Sequence, residues 1–278
     1  MVGDLTADRG GSPHTRRVNA REWAEASWAA PAVIGDGRSS GDDVVCAYPL
    51  GEVWIVEALG SPVAGGERVI LGVLLALAES PLGVVAHLRD LGRAVDEPVL
   101  SELANLGRYV ERWPATPIVI ASPHPETSTA IRCRPHGDRL TFVPSLLQGW
   151  AHINMVDPPQ KATLRIPPHP VASRLAEGFG IRTCQEWGAH RAADPARQVL
   201  RELTDRAVDV THGDLDIRLE LHRNKVRIAV RSHIPASGTF PEWPGCGLDT
   251  MGDAPVDVPT ATLPAADGGL VTWAVVDL

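Results

Sequence analysis

Long apolar runs, clustered basic residues, paired cysteines and phosphate-cradling glycine loops are all missing from this sequence. No stretch approaches the roughly 20 apolar residues that a membrane-crossing helix needs, and residues 1–11, with Asp4 and Asp8, hold no apolar leader core. A cytoplasmic protein is the expectation. The four cysteines, Cys46, Cys133, Cys184 and Cys246, stand far apart with no Cys-x-x-Cys pair, which excludes the zinc-ribbon and thioredoxin-like spacings. Reduced, mostly buried thiols are expected instead. The ten histidines are spread singly, so no metal site is expected, and there is neither a P-loop nor a G-x-S-x-G elbow. A net charge of -8 without a basic cluster argues against nucleic-acid and anionic-membrane partners. Phe and Tyr are scarce, at three and two, so the eight tryptophans carry most of the aromatic bulk.

What is present is enough apolar residue for two domains, 44% of 278 residues. Residues 1–41 have linker composition, with one short helix over 20–28. From Val44 the pattern changes. Two short β-type runs, 44–48 and 53–57, flank Pro49-Leu50-Gly51 and predict a hairpin. A helix over 67–79 follows, with Val69, Ile70, Val73, Leu74 and Leu77 inward, then a strand over 83–88 and a helix over 97–112. Pro117-Ile118-Val119-Ile120-Ala121 reads as a buried strand. A short helix over 125–131, a strand over 140–143 and a helix over 145–153, N-capped by Ser145, complete a unit spanning 42–153. Such alternation implies a mainly parallel or mixed sheet covered by helices.

The order of elements over 44–153, with the flavour of Trp113-Pro114-Ala115-Thr116-Pro117-Ile118-Val119-Ile120, resembles a STAS domain, the fold of anti-sigma-factor antagonists. In that family an Asp-Ser pair precedes the second helix, and the Ser is phosphorylated by a partner kinase. The matching spot here is Asp96-Glu97, one residue off the usual spacing, and Glu97 has no hydroxyl to phosphorylate. Two readings stand. Asp96 and Glu97, with Pro98, suit a helix start through capping and the helix dipole; or Glu97 is a built-in phosphate mimic carrying less charge than phosphoserine.

Residues 154–162, with Pro158 and Pro159, read as a linker to a second domain over 163–278. It opens on a candidate edge strand, Thr163-Leu164-Arg165-Ile166, and a helix over 169–187 with Val171, Leu175, Phe179 and Cys184 inward. Next is an amphipathic helix over 194–210, with Ala196, Val199, Leu200, Leu203, Ala207 and Val210 on its apolar stripe and Glu202 beside Arg206 at i, i+4. A period-two hairpin around 222–225, a Pro- and Gly-rich stretch over 233–264 and a closing strand over 270–278 follow.

Within that frame Arg201-Glu202-Leu203-Thr204-Asp205-Arg206-Ala207-Val208 resembles the Glu-Leu-x-x-Asn-Ala-Val helix of GHKL-type ATPases, in particular actinobacterial anti-sigma-factor serine kinases. The resemblance implies that Glu202 stands where the family has its general base. Arg206 replaces the Asn that holds magnesium on the ATP phosphates. Magnesium needs oxygen ligands and a guanidinium has only donors, so Arg206 cannot take that role; the alternative reading of Glu202 and Arg206 is a helix-face ion pair. The family's adenine-reading Asp is also missing, since Val230 is followed by Arg231-Ser232-His233. For the glycine box the candidate is Gly245-Cys246-Gly247-Leu248, which also reads as ordinary turn chemistry.

The expected fold class is α/β and α+β, a STAS-like mixed sheet with covering helices followed by a GHKL-like α/β sandwich. The resemblances imply a regulator that acts by protein binding in sigma-factor partner switching, with a decayed nucleotide site and no cofactor. A sigma factor, an anti-sigma factor or a STAS-domain protein is the implied partner, with a homodimer as a further form. Two alternatives stay open: an active Mg-ATP-dependent serine kinase using Glu202, and a small-molecule sensor using the vacated ATP pocket.

Overall fold

The computed structural model describes residues 32–34, 44–59, 62–89, 97–233, 258, 260–265 and 269–278. Asp96, Gly245, Gly247 and the helix expected over 20–28 lie outside the described residues. The fold class is as expected, α/β and α+β: one mixed sheet and one antiparallel sheet, each carrying helices.

Sheet A holds six strands in sequential order. β1 (Ala32–Ile34), a strand the sequence reading leaves out, pairs antiparallel with β2 (Val44–Leu50), which pairs antiparallel with β3 (Val53–Leu59). The hairpin turn is Gly51-Glu52, one residue later than the Pro-Leu-Gly signal. Gly51 sits at φ 67°, and Glu52 is not left-handed, the pattern of a type II′ turn in which glycine avoids the Cβ clash. β4 (Gly83–His87), β5 (Ile118–Ala121) and β6 (Thr141–Val143) then add in parallel. Their connections are α1 (Pro62–Ala78), the pair α2 (Glu97–Asn105) and α3 (Gly107–Arg112), and α4 (Pro125–Arg132). Right-handed crossovers between strands added in one direction put all four helices on the same face. α5 (Leu146–Ile153), capped by Ser145 Oγ accepting from Gln148 N at 3.4 Å, returns across the other face.

The single helix expected over 97–112 is broken at Leu106-Gly107. A Cβ on Gly107 would stand 1.9 Å from the His136 carbonyl oxygen, so only glycine allows the chain to come that close.

Sheet B is antiparallel, in the order β10-β11-β9-β8-β7: β7 (Gln160–Ile166), β8 (Leu215–His222), β9 (Lys225–Ser232), β10 (Thr260–Pro264) and β11 (Leu270–Asp277). β10 corrects the reading of 233–264 as one long loop. It is a short outer strand ending on Pro264, a placement proline tolerates because an edge leaves an N–H without a ladder partner. Period-two alternation divides the sheet. Ile217, Leu219, Val226, Ile228, Val230 and Val276 face α6 (Ala172–Glu186) and α7 (Ala193–Val210). Ala229, Val271, Trp273 and Val275 face the other way and join the core formed by α1 and sheet A. The layers therefore stack as α5, sheet A, α1–α4, sheet B, then α6 with α7.

Charge crosses that middle layer. Arg227 and Glu220, 5% and 1% exposed, pair at 2.7 Å on the α1-facing side of sheet B, and Arg218 lies 3.1 Å from the same carboxylate. Arg227 also donates to Ser80 Oγ, and its guanidinium lies 5.1 Å over the Trp113 ring and 5.9 Å over the Trp273 ring. Lys161 Nζ donates to the Ser80 carbonyl at 2.9 Å, Arg218 to the Ala78 carbonyl at 3.3 Å, and Arg231 to Glu79 at 2.9 Å. These donors meet the C-terminal end of α1, where the last turn leaves carbonyls without helical partners and a partial negative charge. Burial alone would push the Glu220 carboxyl up, but Arg227, Arg218 and Lys161 together hold it below the ordinary range. Burial pushes Arg218 down to about 10.

Glu220→Gln leaves Arg227 buried without its counter-charge and should cost about 3–5 kcal/mol in urea unfolding. Because the folded-state pKa of Glu220 is depressed, its contribution is complete above about pH 4.3 and is lost as pH falls through the lower folded value. The acid limb of the stability curve should accordingly be shallower in the variant.

Candidate functional site

Helix α7 carries the residues that the GHKL resemblance singles out. It forms because Ala196, Val199, Leu200, Leu203 and Ala207 recur at three and four residues, and all five are buried against sheet B and α6. Val210, expected on the same stripe, is 49% exposed because the helix ends there and the chain turns away at Thr211. Asp194 sits in the first turn, favourable for the helix dipole.

The inward face of α6 differs in part from the expected one: Phe179 and Cys184 pack against the core as expected, and Val171 and Leu175 do not. Val171 and Leu175 are exposed, while Ala172, Ser173, Ala176, Gly180, Thr183 and Cys184 are buried. The reason is close approach: a Cβ on Gly180 would lie 2.2 Å from Leu200 Cδ1, so α6 meets α7 at this point through its smallest side chains, and Val171 and Leu175 are left outside the contact. Ser173 adds a hydroxyl donated to the Asp205 carboxylate across this contact.

Glu202 and Arg206 are brought together as the i, i+4 spacing implies. Arg206 Nη2 donates to Glu202 Oε1, with the carboxylate 16% and the guanidinium 43% exposed. The carboxylate that the resemblance assigns to a general base therefore already has a cation on it. Arg206 offers no lone pair, so it cannot take the magnesium-holding role that the resemblance assigns to its position.

At the end of β9, Ser232 continues the face that packs on α7, and its hydroxyl donates to the Leu270 carbonyl at 3.4 Å. Arg231 turns to the opposite face and Glu79, while His233 Nε2 meets Asp216 at 2.9 Å and its backbone N–H donates to Thr211 Oγ1. The three residues that the GHKL resemblance aligns with an adenine-reading Asp are thus tied into the fold.

Glu97 lies elsewhere, at the first turn of α2 in the helix layer over sheet A. Its carboxylate pairs with Arg134, which also donates to Ser101 Oγ at 3.3 Å, and Ser101 in turn donates to the Glu97 carbonyl. Ser122 and Ser128 sit in turn chemistry: Ser122 Oγ accepts from the His124 N–H at 3.2 Å and Ser128 Oγ meets the His124 carbonyl at 3.5 Å.

One polar cluster escapes the sequence reading. Tyr48 donates to Glu57 Oε2 at 2.9 Å, and His87 Nδ1 lies 2.8 Å from Glu57 Oε1, on the face of sheet A that also carries α5. Burial, followed by the Glu57 hydrogen bond and charge, pushes the Tyr48 phenol well above its usual value. The signal available was the polar residue within or ending an apolar strand, Glu57 on β3 and His87 on β4, which the parallel register makes direct neighbours.

No family model matches this chain, and no curated protein matches it either.

Thr204, between Glu202 and Arg206, is 0% exposed, and its hydroxyl has no hydrogen-bond partner among the described residues. Thr204→Val removes that stranded hydroxyl at constant shape and should raise stability by about 0.5–1.5 kcal/mol. An unchanged or lower urea midpoint would show that the hydroxyl is satisfied.

Proposed function

We propose that this chain is a cytoplasmic two-module regulator that works by binding other proteins in a sigma-factor partner-switching system, its GHKL-like nucleotide site no longer working. The Arg206 guanidinium seated on Glu202 carries this reading. It engages the one carboxylate the resemblance makes catalytic and occupies the position of the magnesium-holding Asn with a group that has no acceptor. The loss of an adenine-reading carboxylate after Val230 supports it from a second direction.

Protein binding is supported by what the surface offers. Val171 and Leu175, four residues apart and exposed at 43% and 52%, lie at the outer start of α6, and Leu147 and Met155 on and just after α5 are exposed at 76% and 86%. Partners of the implied kind are a sigma factor, an anti-sigma factor, a STAS-domain protein or a second copy of the chain. Among the described residues no helix is long and apolar enough to cross a membrane, in keeping with this assignment.

Thermal unfolding with millimolar Mg-ATP, Mg-ADP or EDTA separates the regulator from the active kinase. The expected result is no nucleotide-dependent shift in the wild type, and none in Arg206→Asn, because restoring the Asn leaves the base unread. A nucleotide at about one hundred times its Kd would add roughly 2.7 kcal/mol, several degrees for a chain of this size. A magnesium-dependent shift of that order, lost in Glu202→Ala, would establish the kinase instead.

A further inference from the structure

The α1-facing side of sheet B is covered unevenly. Towards β10 and β11 it is apolar and packs under α1, but towards β7 and β8 it is polar and opens into a cleft of about 260 Å³. Strand register sets its lining in two adjoining rows. Thr163, Arg218 and Ala229 stand opposite one another across β7, β8 and β9, and Arg165, Asp216, Arg231 and Val271 form the next row, out to β11. Ala78, the last residue of α1, supplies the wall from the other side.

Three guanidiniums, of Arg165, Arg218 and Arg231, converge here, each facing a carboxylate. The arginines are held in place by groups around the cleft. Glu79 takes Arg231 at 2.9 Å; Glu220 and the Ala78 carbonyl take Arg218 at 3.1 and 3.3 Å. Arg165 is anchored only through Nε, 3.1 Å from Asp214 and 3.7 Å from Asp216, and among the described residues its two terminal nitrogens have no partner. A guanidinium fixed at Nε with its outer N–H groups open is matched to the paired oxygens of a phosphate or carboxylate.

We propose that this cleft binds a small molecule bearing one phosphate or carboxylate group and a short apolar part. The oxyanion sits on Arg165 and the neighbouring Thr163 hydroxyl with Arg218 behind, and the apolar part lies on Ala78, Ala229 and Val271. Asp216, held 2.9 Å from His233 Nε2, restricts the occupant to one anionic group by repelling a second. An occupant touches α1 and sheet B together and so clamps the two layers. Glu202 and Arg206 lie on α7, beyond the opposite face of the sheet, so the site is independent of the nucleotide reading.

The test is titration calorimetry with inorganic phosphate and with butyrate, at constant ionic strength in chloride buffer, on the wild type, Arg165→Gln and Arg139→Gln. Arg165 and Arg139 are both exposed, at 67% and 53%, so neither change threatens folding; Arg139 belongs to the sheet A unit and serves as the charge control. The expected result is saturable wild-type binding in the millimolar range or tighter, weakened about tenfold or more in Arg165→Gln and unchanged in Arg139→Gln. Binding of phosphate alone assigns a phosphorylated occupant, of butyrate alone a carboxylate, and of both the oxyanion itself. Failure of both probes to bind, or equal affinity of Arg165→Gln and wild type, overturns the proposal.

Discussion

Arg227 and Glu220 face each other across β8 and β9 in the interior of the molecule, and neither is tolerable there alone. Taking two charges out of water costs several kcal/mol each, and their mutual attraction repays this only when the remaining N–H groups and lone pairs are also satisfied. The fold meets part of that condition: the Ser80 hydroxyl at the end of α1 and the indole faces of Trp113 and Trp273 receive the Arg227 guanidinium and Arg218 lies beside the second Glu220 oxygen, while Arg227 Nε has no hydrogen-bond partner among the described residues. The Ser80 bond ties the pair to the end of α1 and so fixes where that helix lies over sheet B. Because α1 is also the helix that packs on β2, β3 and β4, the same requirement sets how the two sheets stack.

This arrangement separates the surfaces that can carry function. The helix bearing Glu202 and Arg206 lies on the outer side of sheet B, away from the charged middle layer, while Glu97 belongs to the helices over sheet A. Sites that the two resemblances would link by phosphoryl transfer between partners are built on different layers of one molecule. Ser80 shows how closely the middle layer is specified. It follows α1 with φ 50°, a left-handed position usually given to glycine, yet its side chain and carbonyl accept from Arg227 and Lys161. A glycine would relieve the backbone and forfeit the hydroxyl.

Much of the fold was legible in the sequence because periodicity reports faces directly. The inward residues of α1, the buried strand Ile118–Ala121, the Ser145 cap and the hairpin β8–β9 all follow from spacing and capping chemistry. The Glu202–Arg206 pair followed from i, i+4 geometry. Other features were out of reach for specific reasons. Alternation on β8 identifies Asp216, Arg218 and Glu220 as sharing a face, but not that α1 covers part of it, since that depends on residues some 140 positions away. The inward face of α6 was partly misread because size rather than hydropathy governs a contact as close as Gly180 on Leu200. β10 was hidden by its Pro and Gly surroundings, and the Glu57–His87 contact by strands joined through the crossover α1.

The bond from Arg227 to Ser80 joins residues 147 apart in sequence. During synthesis the first sheet and its helices leave the ribosome long before Trp273 and Arg227 exist to cover Leu77 and Trp113. Domains usually fold as they emerge, but here the apolar face of α1 waits for the last strands of the second sheet. Loop-closure entropy grows slowly with length, so the delay costs little stability. It costs time, and for that interval the nascent chain presents a sticky surface that chaperones would hold.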